Sequence, residues 1–297
     1  MAAAATMTKR AILIGLGGAS CSGKTLLARH LRNVLTSATI LHQDDFCPPA
    51  DKVPYSATHP DVQDWDDPPT CILWPDFRAA LRHVKQTAEL PLAHSSHDHL
   101  NKQVEIAVEP RVYEEYGAKL RAFEESERTK GTEIAWFIVD GFVLYWDAVS
   151  TASRAGPCSW AEEEVVTTGN HGHAGRAHPV ARPARDPEVE ERRATDICPA
   201  ACVPLHLLIQ RFMHSSLLSD PDDAAAGGVW EDPPNYFSQI VWPGYVKAHE
   251  HVYRDGDVEH GIVVDKRIQL VHPGDGAEGM TRALEECCVA VLEMLGG

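Results

Sequence analysis

Residues 11–25 read AILIGLGGASCSGKT, and this stretch restricts the fold more than any other. An aliphatic run from Ala11 to Leu16 enters a glycine-rich turn, which leads into Gly23-Lys24-Thr25 and the periodic segment LLARHLRNVL. Gly18, Gly23, Lys24 and Thr25 satisfy the phosphate-binding loop pattern G-x-x-x-x-G-K-[ST]. The chemistry demands these types because backbone N–H groups must wrap a phosphate closely, and a Cβ at either glycine obstructs the turn. Lys24 supplies a point charge to the outer phosphates, and the Thr25 hydroxyl suits a magnesium ion. The helix that follows aims its positive end at the same anion. A strand before the loop and an amphipathic helix after it are the context the motif requires.

The chain has 297 residues, enough for one large domain with an ample core. Its 44% hydrophobic and 24% charged content is that of an ordinary globular protein. With 27 Lys plus Arg against 43 Asp plus Glu, the formal net charge is −16. Nucleic acids and anionic membranes are bound through positive charge, so neither is an expected partner. A phosphate ligand still is, because the loop builds its own positive field from amides and one lysine. The early apolar run is too short to span a bilayer, so a cytoplasmic protein is expected, with the nucleus also open to it. The 8 cysteines show no disulfide-framework spacing, which fits a reducing compartment. Cys21 lies within the loop as a small packing residue, although thiols at helix starts can have lowered pKa.

Taken in order, residues 1–9 resemble a disordered lead-in. After the first strand and helix, Thr39 to His42 forms a second strand that delivers Asp44 and Asp45 at its carboxyl end. In open parallel α/β sheets that rim is where ligands bind; the competing reading is a turn with Asp45 as a cap. The proline-rich loop 47–70 contains Gln63-Asp64-Trp65-Asp66-Asp67. An aromatic beside acids can stack on a flat ring and hold sugar hydroxyls, or it can anchor the loop through one buried tryptophan. Asp76 is a helix cap, His94, His97 and His99 belong to a solvated loop, and 111–128 is a short solvated helix. Ile134 to Val139 is a buried strand closed by Asp140-Gly141-Phe142, and an acid in that place orients magnesium or its waters. Residues 150–200 lose apolar periodicity and are expected to form a long irregular insertion. The spacing of Cys198, Cys202 and His206 hints at zinc but lacks a fourth ligand. Leu205 to Ile209 is expected as strand four and Gly261 to Asp265 as strand five. Met280, Leu284, Cys287, Cys288, Val291 and Leu295 line one face of a final helix that Gly296 stops. The expected architecture is an α/β P-loop NTPase fold: a five-stranded parallel sheet flanked by helices, forming a single domain over 10–297 with a long insertion.

GASCSGKT, QDDF, the Trp65-Asp66 pair, the strand ending VDGF and the phrase WEDPPNYF…VWPGY together resemble nicotinamide riboside kinase, particularly its fungal forms. The likeness covers residues 10–148 and 228–255 well; the phosphate loop alone identifies only a large superfamily. The resemblance implies transfer of the ATP γ-phosphoryl group to the 5′-hydroxyl of nicotinamide riboside, or of nicotinic acid riboside, in NAD biosynthesis. It implies that Gly18, Ala19, Ser20, Cys21, Ser22, Gly23, Lys24, Thr25 and Leu26 bind ATP and that Asp44 is the general base. Asp66 would hold the ribose hydroxyls, Trp65 would stack on the pyridinium ring, and Thr25 and Asp140 would lie at magnesium. The catalytic set is then Asp44, Lys24 and Asp140. An acidic, aromatic pocket suits a cationic pyridinium. The family's arginine-rich lid after the fourth strand reads QRFMHSSLLSD here, with Arg211 alone, while Arg192 and Arg193 lie earlier. The alternatives are a uridine- or pantothenate-type kinase of the same superfamily, or a noncatalytic nucleotide-binding regulator without its lid.

Overall fold

The computed structural model describes residues 7–96, 104–146, 200–201, 233–264, 268–271 and 274–296. Its centre is a parallel sheet of β1 (Thr8–Gly18), β2 (Thr39–His42), β3 (Thr132–Gly141), β4 (Ala200–Ala201) and β5 (Leu270–Val271), in the order β2-β3-β1-β4-β5. β1 and β3 pair along ten positions, from Thr8 opposite Thr132 to Gly17 opposite Gly141. The near-continuous apolar character of both strands follows from burial on two faces, as parallel sheets require.

Successive β1 side chains serve opposite layers. Ile12, Ile14 and Leu16 pack with Leu27, Leu31 and Val34 of α1 (Lys24–Val34) and with Leu284, Cys287 and Val291 of the last helix, Gly276–Met294. Leu13 faces the other way, toward Phe77, Leu81 and Val84 of α2 (Trp74–Thr87). Ile240, Val241, Tyr245 and Ala248 extend that second layer. The last three belong to or adjoin α4 (Trp242–His249), which continues from a wide helical turn at Phe237–Val241. Between α2 and α4 in sequence lies α3 (Pro110–Thr129), and the terminal helix is α5. The result is a mixed α/β fold with helices on both sides of a parallel sheet.

Several expectations need revision. β1 begins at Thr8, so Thr8 and Lys9 pair with Thr132 and Glu133 and are not part of a loose lead-in. Asp76 lies in the first turn of α2 but does not cap it; Pro75 occupies the start, where its missing N–H costs nothing. α3 is 20 residues long and not wholly solvated, because Val112 and Leu120 are buried against the α1 and α5 layer. The described part of the expected fifth strand holds only a single antiparallel bridge, Tyr253 with Val263, and the sheet partner is Leu270–Val271. Ala200 and Ala201 pair with Gly17 and Gly18 at the end of the span read as insertion. Leu205–Ile209, Arg211, Arg192, Arg193, His97, His99 and the Cys198, Cys202, His206 group lie outside the described residues.

Candidate active site

The phosphate loop leaves β1 at Gly18 and closes on itself through a turn in which the Ser22 N–H donates to the Ala19 carbonyl at 3.1 Å. Two residues take left-handed backbone: Gly23, at φ 89°, immediately before α1, and Cys21, at φ 64°. Glycine adopts that conformation freely, whereas a cysteine there carries local strain. Lys24 and Thr25 are buried at the start of α1, close beneath the turn.

β3 brings Asp140 to the same place. Its register sets Asp140 opposite His42, the last residue of β2, and beside Leu16 of β1. The Thr25 hydroxyl donates to Asp140 Oδ2 at 2.7 Å, and His42 Nδ1 lies 3.0 Å from the same oxygen. A carboxylate only accepts, so that imidazole nitrogen carries the proton. Burial works to raise the Asp140 pKa. The hydrogen bond from His42, the Lys24 charge and the hydrogen bond from Thr25 outweigh it and hold the group below its ordinary range. Asp140 Oδ1 is buried and has no hydrogen-bond partner among the described residues. An unsatisfied carboxylate oxygen beside a threonine hydroxyl is donor chemistry fit for a hard divalent cation. Among the described residues, no three or more His, Cys, Asp or Glu side chains are arranged to hold a metal ion by themselves. Magnesium at phosphate sites needs only one or two protein carboxylates, with phosphate and water supplying the rest.

Asp44 stands on the short helical turn Gln43–Phe46 that follows β2, one step past the strand end. The Cys47 N–H donates to the Asp44 carbonyl at 3.1 Å. Asp44 is exposed to solvent, yet protein surrounds it on the other sides. Desolvation pushes its carboxyl up, Asp140 and Asp45 add to this, and Lys24 and His42 oppose it. The remaining water contact tempers the rise. Lys24, Asp140 and Asp44 therefore feel one another's charge at one rim.

The turn carrying Asp44 is fixed from three directions. Gln43 is fully buried, and its Oε1 accepts from the Val143 N–H at 3.1 Å, tying the turn to the end of β3. Phe46 packs on Phe77 of α2, with ring centroids 5.1 Å apart. His94 stacks on Phe46 at 5.7 Å and places Nε2 3.4 Å from Asp45 Oδ2. The side chains of His94 and Asp45 are 8% and 2% exposed, so His94 does not belong to a solvated loop as its polar neighbours suggest.

Trp65 and Asp66 lie on the neighbouring loop. Asp66 is buried, and Trp65 is half-buried against the α2 and α4 layer. Burial pushes the Cys47 thiol up, and the carboxylates of Asp44, Asp66 and Asp45 add to that shift. Cys47 thus lies within electrostatic reach of both Asp44 and Asp66. Residues from the far end of the chain hold the loop: Tyr236, Gly244 and Lys247. Lys247 Nζ pairs with Asp67 Oδ1 at 2.7 Å. Sequence reasoning missed His42, Gln43, Tyr236 and Gly244. For His42 a signal existed, since it closes β2 just before QDDF; for Tyr236 and Gly244 the only hint was their place in the NYF and VWPGY phrases.

No family model matches the chain. Among curated proteins it is 27% identical over 269 residues to nicotinamide riboside kinase of Schizosaccharomyces pombe, covering 89% of this chain and 90% of that protein. It is 27% identical over 284 residues to nicotinamide riboside kinase of Eremothecium gossypii, covering 96% of this chain and 94% of the relative. The enzyme of the same name from Saccharomyces cerevisiae is 24% identical over 293 residues, covering 97% and 98%. Along most of its length, then, this chain is similar to the nicotinamide riboside kinases of fungi, the family that its short motifs resemble.

Proposed function

We propose that this chain is a kinase that transfers the γ-phosphoryl group of ATP to the 5′-hydroxyl of nicotinamide riboside, forming the mononucleotide in NAD biosynthesis. The observation that carries the reading is the gathering of Lys24, Thr25, Asp140 and Asp44 at one rim of the sheet, with Asp66 and Trp65 on the adjoining loop. Similarity to three fungal kinases of that name over most of the chain supports it. The chain is read as a single P-loop kinase domain over 10–297.

Phosphoryl transfer is mainly positioning and electrostatic stabilisation. The loop from Gly18 to Leu26 presents its amides and the α1 N-terminus to the phosphates, and Lys24 follows the charge of the transferring group. Thr25 and Asp140 would hold magnesium, which when bound would offset negative charge on the phosphates. His42 keeps Asp140 oriented and ionised from behind. Asp44 accepts the proton of the attacking 5′-hydroxyl; a carboxyl raised above its ordinary value is a better base for that step. Asp66 receives the ribose hydroxyls, and Trp65 offers a face to the cationic pyridinium.

A panel of nucleosides together with pantothenate, each with ATP and magnesium, tests the reading. Preferential turnover of nicotinamide riboside is expected. Preferential turnover of uridine or pantothenate would reassign the substrate, and tight ATP binding without any phosphorylated product would make the chain a regulator.

A further inference from the structure

Tyr236 comes from the segment preceding α4, 170 positions from Asp66 in sequence, and its ring is buried. Its hydroxyl meets three groups of the Trp65 loop. The Trp65 backbone N–H donates to it at 3.1 Å, Asp66 Oδ2 lies 3.3 Å away, and the Gln63 carbonyl lies 3.4 Å away. A phenol has one proton and also accepts, so it takes the Trp65 N–H while donating to one of the two oxygens. The ionised carboxylate is the stronger acceptor, which biases the proton toward Asp66.

We infer that the Tyr236 hydroxyl is a positioning group for riboside recognition, fixing one oxygen of Asp66 and the backbone of Trp65 in a single geometry. This rests on the riboside-binding roles given above to Asp66 and Trp65. Two neighbouring contacts brace the same loop independently. The Asp66 N–H donates to Asp64 Oδ1 at 3.2 Å, and Lys247 holds Asp67. The loop therefore survives loss of the phenol, and what the phenol adds is the orientation of the Asp66 carboxylate. Hydrogen bonds to a charged group are among the more valuable ones, and their loss should register in binding of the riboside alone.

Tyr236→Phe tests this, because it removes the hydroxyl and keeps the buried ring. With nicotinamide riboside as substrate, KM should rise about tenfold while KM for ATP stays unchanged and kcat falls by no more than about threefold. Asp66→Asn should raise riboside KM at least as far, and adding Tyr236→Phe to Asp66→Asn should change it by less than the product of the single effects. An unchanged riboside KM in Tyr236→Phe, alongside a raised one in Asp66→Asn, overturns the inference and leaves the function standing. Equal losses in riboside and ATP KM also overturn it, since that is general loosening. If Asp66→Asn binds and turns over the riboside as wild type does, the acceptor role of Asp66 falls and the inference falls with it. A wild-type protein inactive on nicotinamide riboside refutes the function itself.

Discussion

At Gly244 helix α4 meets the backbone of the Trp65–Asp66 loop, and Gly244→Ala makes a sharp perturbation. A Cβ built there would lie 3.0 Å from the Asp66 carbonyl carbon, 3.1 Å from the Asp66 Cβ, and closer still to the Asp66 carbonyl oxygen. Carbon–oxygen contacts become comfortable only near ~3.3–3.6 Å. The obstacle is backbone, not the end of a flexible side chain, so either α4 or residues 63–67 must retreat by roughly 1 Å. α4 is anchored by Tyr245 and Ala248 in the buried layer, which makes the loop the softer partner. Overpacking of this kind costs about 1–3 kcal/mol, and each kcal/mol lowers Tm by about 2–4 °C in a domain of 150–250 residues. A displacement of about 1 Å in a substrate-positioning group can cost 10²-fold in turnover. Gly244→Ala should thus lower Tm by a few degrees while kcat/KM for the riboside falls by one to two orders of magnitude, with KM for ATP near wild type. Steady-state kinetics against each substrate, paired with a thermal melt, reads all three quantities. A variant with wild-type riboside kinetics would refute the claim that the α4 contact sets the position of Asp66.

Three other outcomes follow from the site and the core. Asp44→Asn should lower kcat by about 10²–10⁴-fold while ATP binding, followed by calorimetry, stays intact. The acid limb of the wild-type rate profile should lie above the ordinary carboxylate value, in the direction of the Asp44 shift, and vanish in that variant. Asp140→Ala should weaken the magnesium dependence of turnover strongly, because it removes the orphaned oxygen and the partner of both Thr25 and His42; an unaltered metal titration would exclude Asp140 from the metal site. His249 is buried, donates through Nδ1 to the Tyr245 carbonyl at 2.7 Å, and burial lowers its pKa to about 3. The unfolded chain takes this proton near 6.5 and the folded one does not, so between pH 6.5 and about 3 the unfolded state binds more protons and stability falls with falling pH. Urea melts across that range should show the decline, and His249→Gln should flatten it.

What was legible in the sequence was mostly local. The phosphate loop is a strand, a turn and a helix within one continuous stretch, so its glycines, lysine and threonine carry their meaning in their spacing. The two strand-end acids were legible too, since a short branched run closed by an aspartate marks the rim of a parallel sheet. Cross-strand relations were not. His42 meets Asp140 because β2 and β3 pair in one particular register, and nothing in either segment alone states that register. Tyr236 and Gly244 reach the Trp65–Asp66 loop from the other end of the chain, where only packing of the α4 region on that loop gives them a role. Charge also misled: α3 is so rich in Glu, Arg and Lys that its two buried anchors, Val112 and Leu120, eight residues apart, were outweighed. His94 sat among serines and histidines and looked solvated, yet it stacks on Phe46 and faces Asp45.

The central claim is that the groups at this rim carry a phosphoryl group from ATP to a riboside hydroxyl. Incubating the protein with ATP, magnesium and nicotinamide riboside, and following ADP and phosphorylated riboside together, tests it most directly. The account predicts one 5′-mononucleotide for each ADP, with both products lost in Asp44→Asn. ADP formed without mononucleotide, or ATP bound with neither product formed, would contradict it.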